Sequence, residues 1–291
     1  MAETRKFILT VDSTCDMPEA LLQEHDVPVI SMSYTLDGET YPDSEGHSLA
    51  PKEFYDRVRA GSMPMTAQVT SEQAKDFFRP LVESGSDVLH IAFSSALSGS
   101  CASAMYAAQE LSQAGGPQIR VVDSLCASMG EGLLLHYAVQ LRDEGKTLEE
   151  AVQWLEDNKL HLCHNFTVDD LKHLHRGGRV SRTSAIVGTL LGIKPVLHVD
   201  DAGRLIPLSK VRGRRAALDT LVSNMQMQVG RFVNEVVYIS HGDCLADAEY
   251  VRDQVREKLG IKKFLLNPIG PVIGTHSGPG TVALFFLGEK R

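Results

Sequence analysis

The feature that most constrains this chain is a unit that recurs through its first half: an apolar strand, a loop of small hydroxyl residues, then a helix. Phe7 to Val11 runs into Asp12-Ser-Thr14, Asp87 to Phe93 into Ser94–Ser100, and Gln118 to Val122 into Asp123-Ser124. A chain that alternates strand and helix buries its apolar surface most economically as a parallel sheet with helices on both faces. Such sheets gather ligands at the carboxyl ends of their strands, which is where the three hydroxyl loops fall. Val27 to Tyr34 reads as a further strand, and Asp16 as the cap of a helix with Pro18 in its first turn. Helical spacing is also present over Lys52–Arg59, Ser71–Glu83, Ala102–Ser112 and Ala127–Glu144.

The second half has a different rhythm. Thr147 is placed to cap a helix over Leu148–Asn158, and His164 to Val168 reads as a strand. Val168 to His175 starts a short helix that stops at Gly177-Gly178, and Ser184 to Leu191 is apolar with helical character. Asp200-Asp-Ala-Gly203 between Lys194–Val199 and Arg204–Leu208 is a hairpin signal. Helices over Arg215–Val229 and Ala246–Leu259 then alternate with strands over Glu235–Ser240, Lys263–Pro268 and Thr281–Leu287. The expectation is an α/β protein: an N-terminal parallel-sheet domain over 1–159 with helices on both faces, and a smaller C-terminal α+β domain over 160–291 with a mixed sheet.

The formal net charge is −8, from 29 basic and 37 acidic residues, which argues against nucleic acid as a partner. The five cysteines are scattered without a Cys-x-x-Cys pair, so reduced thiols and a cytoplasmic location are expected. No signal-like opening is present, and no apolar stretch approaches the roughly 18 residues of a spanning helix.

Four segments carry polar chemistry. In Ser94–Ser100, Gly99 lets the backbone approach a ligand at a helix N-terminus, and Ser95, Ser98 and Ser100 add hydroxyl donors for an anion. A serine there serves equally well as an ordinary helix cap. Gly270 to Gly280 is expected to be a stiff glycine- and proline-rich loop with His276 at its centre, able to donate to an anion or move a proton. A basic set comprises Lys172, Arg176, Arg179, Arg182, Lys194, Lys210, Arg212, Arg214 and Arg215. It reverses the sign of the chain locally and suits a phosphorylated ligand, an acidic partner or a solvated face. In Met65–Ser71, Thr70 or Ser71 caps the following helix and Thr66 stays free. There is no nucleophile elbow, no phosphate loop and no His-Glu-x-x-His, and His173 and His175 point to different sides of a helix. Neither a metal nor a cofactor is expected.

Taken in order, these segments resemble the DegV family across nearly the whole chain. The resemblance rests on Val11-Asp-Ser-Thr14, Thr66 in Pro-Met-Thr-Ala-Gln, Ser94–Ser100 and Val122-Asp-Ser124. It continues through the Leu-x-x-Leu-x-x-Gly-Gly-Arg run ending at Arg179, Gly192-Ile-Lys-Pro-Val196, Lys210-Val-Arg212 and Gly270–Gly280. Ser100 stands where the family more often has Thr, and Ala67 and Val69 replace the usual Ser and Pro. The resemblance implies a bacterial protein that holds one long-chain fatty acid and turns over no substrate. Thr66 and Ser98 would meet the carboxyl group beside Ser95, Gly99 and Ser100, and Arg212 and His276 would complete the polar network. The tail would lie in an apolar tunnel, with Ile186–Leu191 and Leu284–Leu287 as candidate walls. It also implies hand-over of the acid to a separate fatty acid kinase for acyl-phosphate formation and phospholipid synthesis, with Arg179 facing that partner and transient contact with a membrane surface. The alternative is an acyl hydrolase or phosphotransferase using Ser98 and His276. A nucleotide-binding module would rest on the parallel sheet alone.

Overall fold

In the computed structural model, which describes residues 7–44, 46–112, 115–169, 171–181 and 192–291, the recurrent unit becomes a four-stranded parallel sheet. The chain runs through β1 (Ile8–Asp12), α1 (Glu19–Glu24), β2 (Val29–Ile30), β3 (Ser33–Leu36), β4 (Glu39–Pro42) and α2 (Pro51–Arg59). It continues through β5 (Met65–Ala67), α3 (Ser71–Glu83), β6 (Val88–Ala92), α4 (Ser100–Leu111), β7 (Ile119–Asp123), α5 (Met129–Asp143) and α6 (Leu148–Asn158). The strand order is β2-β1-β6-β7, every pair parallel. Strand β6 is buried at every position, which is why its sequence shows no polar alternation. Thr70 and Thr147 both form complete capping boxes, with Gln73 and Glu150 as the returning side chains.

Two expectations for this half need correction. The run Val27–Tyr34 is divided between sheets: β2 pairs with β1, whereas β3 pairs antiparallel with β4 and β5 in a separate three-stranded sheet. A strand-forming run does not reveal which neighbour it will pair with. Asp16 does not cap α1, whose N-cap is Pro18. It adopts a left-handed backbone with φ 51°, and its buried carboxylate accepts from Ser128 Oγ and from Gly270 N–H instead.

The second half contains β8 (Leu162–Thr167), α7 (Lys172–Arg176), β9 (Ile193–Val199), β10 (Leu205–Arg212), α8 (Arg214–Gln228) and β11 (Val236–His241). It ends with α9 (Leu245–Leu259), β12 (Lys263–Pro268), α10 (Pro271–Ser277) and β13 (Val282–Leu287). The mixed sheet has the order β10-β9-β8-β13-β11-β12, antiparallel except for β11 with β12. Strand β13 is buried on both faces: Ala283, Phe285 and Leu287 join the core shared with the parallel sheet, and Val282, Leu284 and Phe286 pack with residues of α8 and α9. The change from parallel to mixed sheet falls across α6 and the turn that follows it. The helix expected over Ser184–Leu191 lies outside the described residues. Among the described residues no helix is long and apolar enough to cross a membrane.

The segment Gly270–Gly280, expected to be a stiff loop throughout, is partly helical. Pro271 opens a short helix, its fixed φ already suited to the first turn. Gly274 is required within it, because a Cβ there would stand 2.6 Å from the Tyr55 hydroxyl and 2.9 Å from the Phe54 ring. Tyr55 also donates to Ile269 O at 3.1 Å. Tertiary contacts with α2 therefore stabilise a helix that its own Gly274 disfavours.

Candidate functional site

A cavity of about 730 Å³ lies between the loops at the carboxyl ends of the parallel strands and one face of the mixed sheet. The sheet face supplies its floor in rows fixed by strand register. Ala283 stands opposite Phe166, and Phe285 opposite His164, and Val199 of β9 also lines the cavity. From Thr281 to Phe285 the floor extends about 13 Å at the rise of an extended strand. Phe93 and Ala127 face it from the parallel-sheet side, and Val272 and Ile273 from α10.

The loop wall is built on carboxylates that accept backbone N–H groups. Asp12 Oδ2 accepts from Phe93 N–H at 2.7 Å, and Asp123 Oδ1 accepts from Ser95 and Leu125, each at 3.1 Å. Glu131 accepts from Asp12 N–H and Thr14 Oγ1 in full burial. Desolvation raises the pKa of Asp12 to about 7 and that of Asp16 to about 8, and it holds Glu131 well above its ordinary value. These groups tie the strand ends to α5 and α10.

One end of the cavity is polar. Thr66, in the middle of β5, turns inward while Met65 and Ala67 are exposed, and its Oγ1 lies 2.9 Å from His276 Nε2. Burial, with Arg179 and Arg176 nearby, lowers the pKa of His276 to about 4, so the ring is neutral near pH 7. Its Nδ1 is buried without a partner, pressed against Gly177, where a Cβ would stand 2.1 Å away. An unmet buried N–H costs more than an unmet lone pair, which puts the ring proton on Nε2. Thr66 then accepts from His276 and keeps its own proton for an anion in the cavity. Gly177 is thus required for the close approach of His276, a role that its place in the Gly-Gly-Arg run does not announce.

Ser98 Oγ accepts from Ser100 N–H at 3.2 Å and lies 3.0 Å from Ser100 Oγ, which in turn accepts from Val69 N–H at 3.0 Å. Ser98 therefore meets the first N–H of α4 from just outside the helix, whose N-cap is Gly99, and is also a cavity-lining hydroxyl. Arg179 donates to Leu97 O through Nε and Nη2 at 3.1 and 2.9 Å, and to Gly177 O. This places a half-buried guanidinium in the cavity wall and fixes the serine loop.

The structure brings Thr66, Ser95, Ser98, Gly99 and His276 together around the cavity, with Arg179 beside them. Ser100 is buried behind Ser98 and acts through it. Arg212 is not among the lining residues. It is exposed at the end of β10, and Arg179 is the cation that lines the cavity. Arg179, expected on a partner-facing surface, turns its guanidinium to the loop and also lines a neighbouring surface groove. Of the expected tail walls, Phe285 lines the cavity, Leu284 and Phe286 face α8 and α9, and Ile186–Leu191 lie outside the described residues, as does Arg182. Sequence reasoning passed over Gln68, whose Oε1 accepts from Gly99 N–H at 3.2 Å. The Thr-Ala-Gln spacing was the available signal.

The basic set disperses. Lys194 pairs with Asp169, Arg214 with Asp247, and Arg215 lies over the Tyr250 ring at 3.2 Å. At the far end of the cavity the polar atoms are paired within the protein. His164 Nε2 accepts from Ala127 N–H and its Nδ1 lies 3.2 Å from Leu162 O, while Ser128 Oγ donates to Asp16 and lies 2.9 Å from Ser240 Oγ. His276 Nε2 is engaged by Thr66 and Ser98 by Ser100, so the two are not joined as base and nucleophile, and a ring with so low a pKa is a weak base near neutrality. No cluster able to hold a metal ion is present among the described residues. The arrangement can hold an anionic head at one end and an apolar body along the rest.

Comparison with known proteins agrees with this geometry. The model of the DegV family, described as uncharacterised proteins, matches residues 6–289. A DegV domain-containing protein of Clostridium perfringens is 41% identical over 288 residues, 99% of each chain. A DegV family protein from Thermus thermophilus, whose structure is described for its fatty acid binding, superposes with a TM-score of 0.87 at 30% identity, covering 97% of this chain and 99% of that one. A Thermotoga maritima protein, described as revealing fatty acid binding function, superposes at 0.83 with 31% identity, covering 98% and 99%.

Proposed function

We propose that this chain, which belongs to the DegV family, binds one long-chain fatty acid, its carboxyl group at the Thr66–Ser98 end and its tail along the mixed-sheet face. The observation that carries this reading is the one-sided polarity of the cavity: hydroxyl capacity remains at Thr66, Ser95 and Ser98, while the polar atoms at the far end are paired internally. Each methylene buried there contributes about 0.8 kcal/mol, offset in part by association and ordering costs. An unpartnered buried carboxylate would cost several kcal/mol. The Thr66 and Ser98 hydroxyls, Gly99 N–H and the Arg179 guanidinium remove that penalty and set the direction of entry.

The protein then acts as a carrier that presents the acid to a separate fatty acid kinase, which forms an acyl phosphate for phospholipid synthesis. Arg179 supports this assignment, because it lines both the cavity and a neighbouring surface groove shared with Gly178, Val180 and Lys210. It would link the carboxyl end to the face a partner takes.

Native mass spectrometry of the purified protein, followed by solvent extraction and lipid identification, tests the reading. One fatty acid per chain is the expected result. A protein that carries none and takes up no added fatty acid would overturn it.

A further inference from the structure

Within that fatty-acid reading, on which this inference rests, we propose that Gln68 is a built-in competitor for the ligand's carboxylate, occupying the Gly99 N–H donor whenever the carboxylate leaves it. Gln68 Oε1 accepts from Gly99 N–H at 3.2 Å. The amide lies flat against that backbone, since a Cβ on Gly99 would stand 2.3 Å from Oε1 and 2.7 Å from Nε2. Gln68, Gly99, Ser98 and Thr66 all line the same cavity, so the amide oxygen and a carboxylate oxygen entering beside Ser98 contend for one donor.

The surroundings allow the exchange. Gln68 is exposed, so its amide can turn into water at little cost. The backbone on either side is held independently: Thr66 by strand pairing with Tyr34, Val69 by its N–H bond to Ser100 Oγ, and Thr70 by its capping box. Only the side chain has to rotate. The exchange also has a purpose in a carrier. A departing carboxylate would leave a helix N-terminal N–H to water or to Gln68, and an acceptor already tethered beside it lowers the cost of release. Gln68 refills it, which weakens retention and eases hand-over.

The test measures oleate affinity and off-rate for the wild type, Gln68→Met and Gln68→Glu. Met keeps length and volume and removes the acceptor, so binding should tighten about two- to tenfold with a slower off-rate, the worth of one neutral hydrogen bond. Glu places a charged acceptor at the same donor and should weaken binding at least about tenfold, since charge-assisted bonds are the stronger kind. Weaker or unchanged binding in Gln68→Met would overturn the competition. A wild type that takes up no oleate would sink the fatty-acid reading and this inference together, whereas oleate binding with the wrong sign in Gln68→Met would sink only the latter. Melting curves on all three proteins separate a folding defect from a binding effect.

Discussion

The two walls of the cavity are made by opposite means. The parallel-sheet wall consists of loops, and its shape comes from hydrogen bonds: Asp12 and Asp123 seize backbone N–H groups, and Arg179 seizes a carbonyl. The mixed-sheet wall is a pleated face, and its shape comes from alternation: Ala283 and Phe285 inward, Leu284 and Phe286 away. Loops can aim a few polar atoms at one point but cannot offer a long dry surface, because their own N–H and C=O groups need partners. A sheet face has those groups already paired in its ladder and offers only side chains. The contrast explains why a head group would be read on one wall and a tail measured on the other.

The largest effect is expected on the sheet wall. Phe285→Ala removes a ring that is 2% exposed and packed edge-on against His164, which should cost about 3–5 kcal/mol in chemical denaturation. The space opened in the last row should shift the bound acids to longer chains in extracted lipid. An unchanged length distribution would break the idea that this wall measures the tail.

On the loop wall, the double variant Thr66→Ala/Ser98→Ala should lower fatty-acid retention about a hundredfold, roughly 3 kcal/mol for two hydrogen bonds to a charged group. Because the Thr66–His276 bond between β5 and α10 is lost, its melting temperature should fall somewhat, and retention is compared well below the melt of both proteins. Wild-type retention in this variant would remove the loop wall from head-group recognition.

Protons sharpen the comparison next. Asp12 and Asp16 hold their protons in the folded chain to about pH 7 and about pH 8, whereas the unfolded chain releases them near pH 4. Between those limits the folded state binds more protons, so stability falls as pH rises and levels off above about pH 8. From these two groups a loss on the order of 3–4 kcal/mol between pH 6 and pH 8 is expected in denaturant melts, offset in part by the buried, neutral His90, His164 and His276, and Asp16→Asn should flatten the Asp contribution. An unchanged difference between wild type and Asp16→Asn across the window would contradict the burial of Asp16 as an acid.

The smallest effect is expected at Arg212. Exposed on β10 and away from the cavity lining, Arg212→Ala should change retention less than about threefold, within the range of an exposed charge. Arg179→Ala should exceed it clearly. A loss at Arg212 as large as that at Arg179 would show that β10 reaches the head group after all.

By itself the sequence determined the alternation of strands and helices, the hairpin at Asp200–Gly203 and the cap at Thr147, and it narrowed the cap of α3 to Thr70 or Ser71. Each of these is signalled by neighbours a few positions away, through periodicity, cap chemistry or a contiguous motif. Tertiary structure alone decided that Val27–Tyr34 splits between two sheets and that Gly270–Gly280 carries a helix. It also decided that Asp16 turns to Gly270, and that Arg179 rather than Arg212 stands at the cavity. The physical reason is separation: Asp16 and Gly270 are 254 residues apart, and Thr66 and His276 are 210 apart. A local pattern reports how a residue is buried, but only the folded chain fixes which distant partner it is buried against.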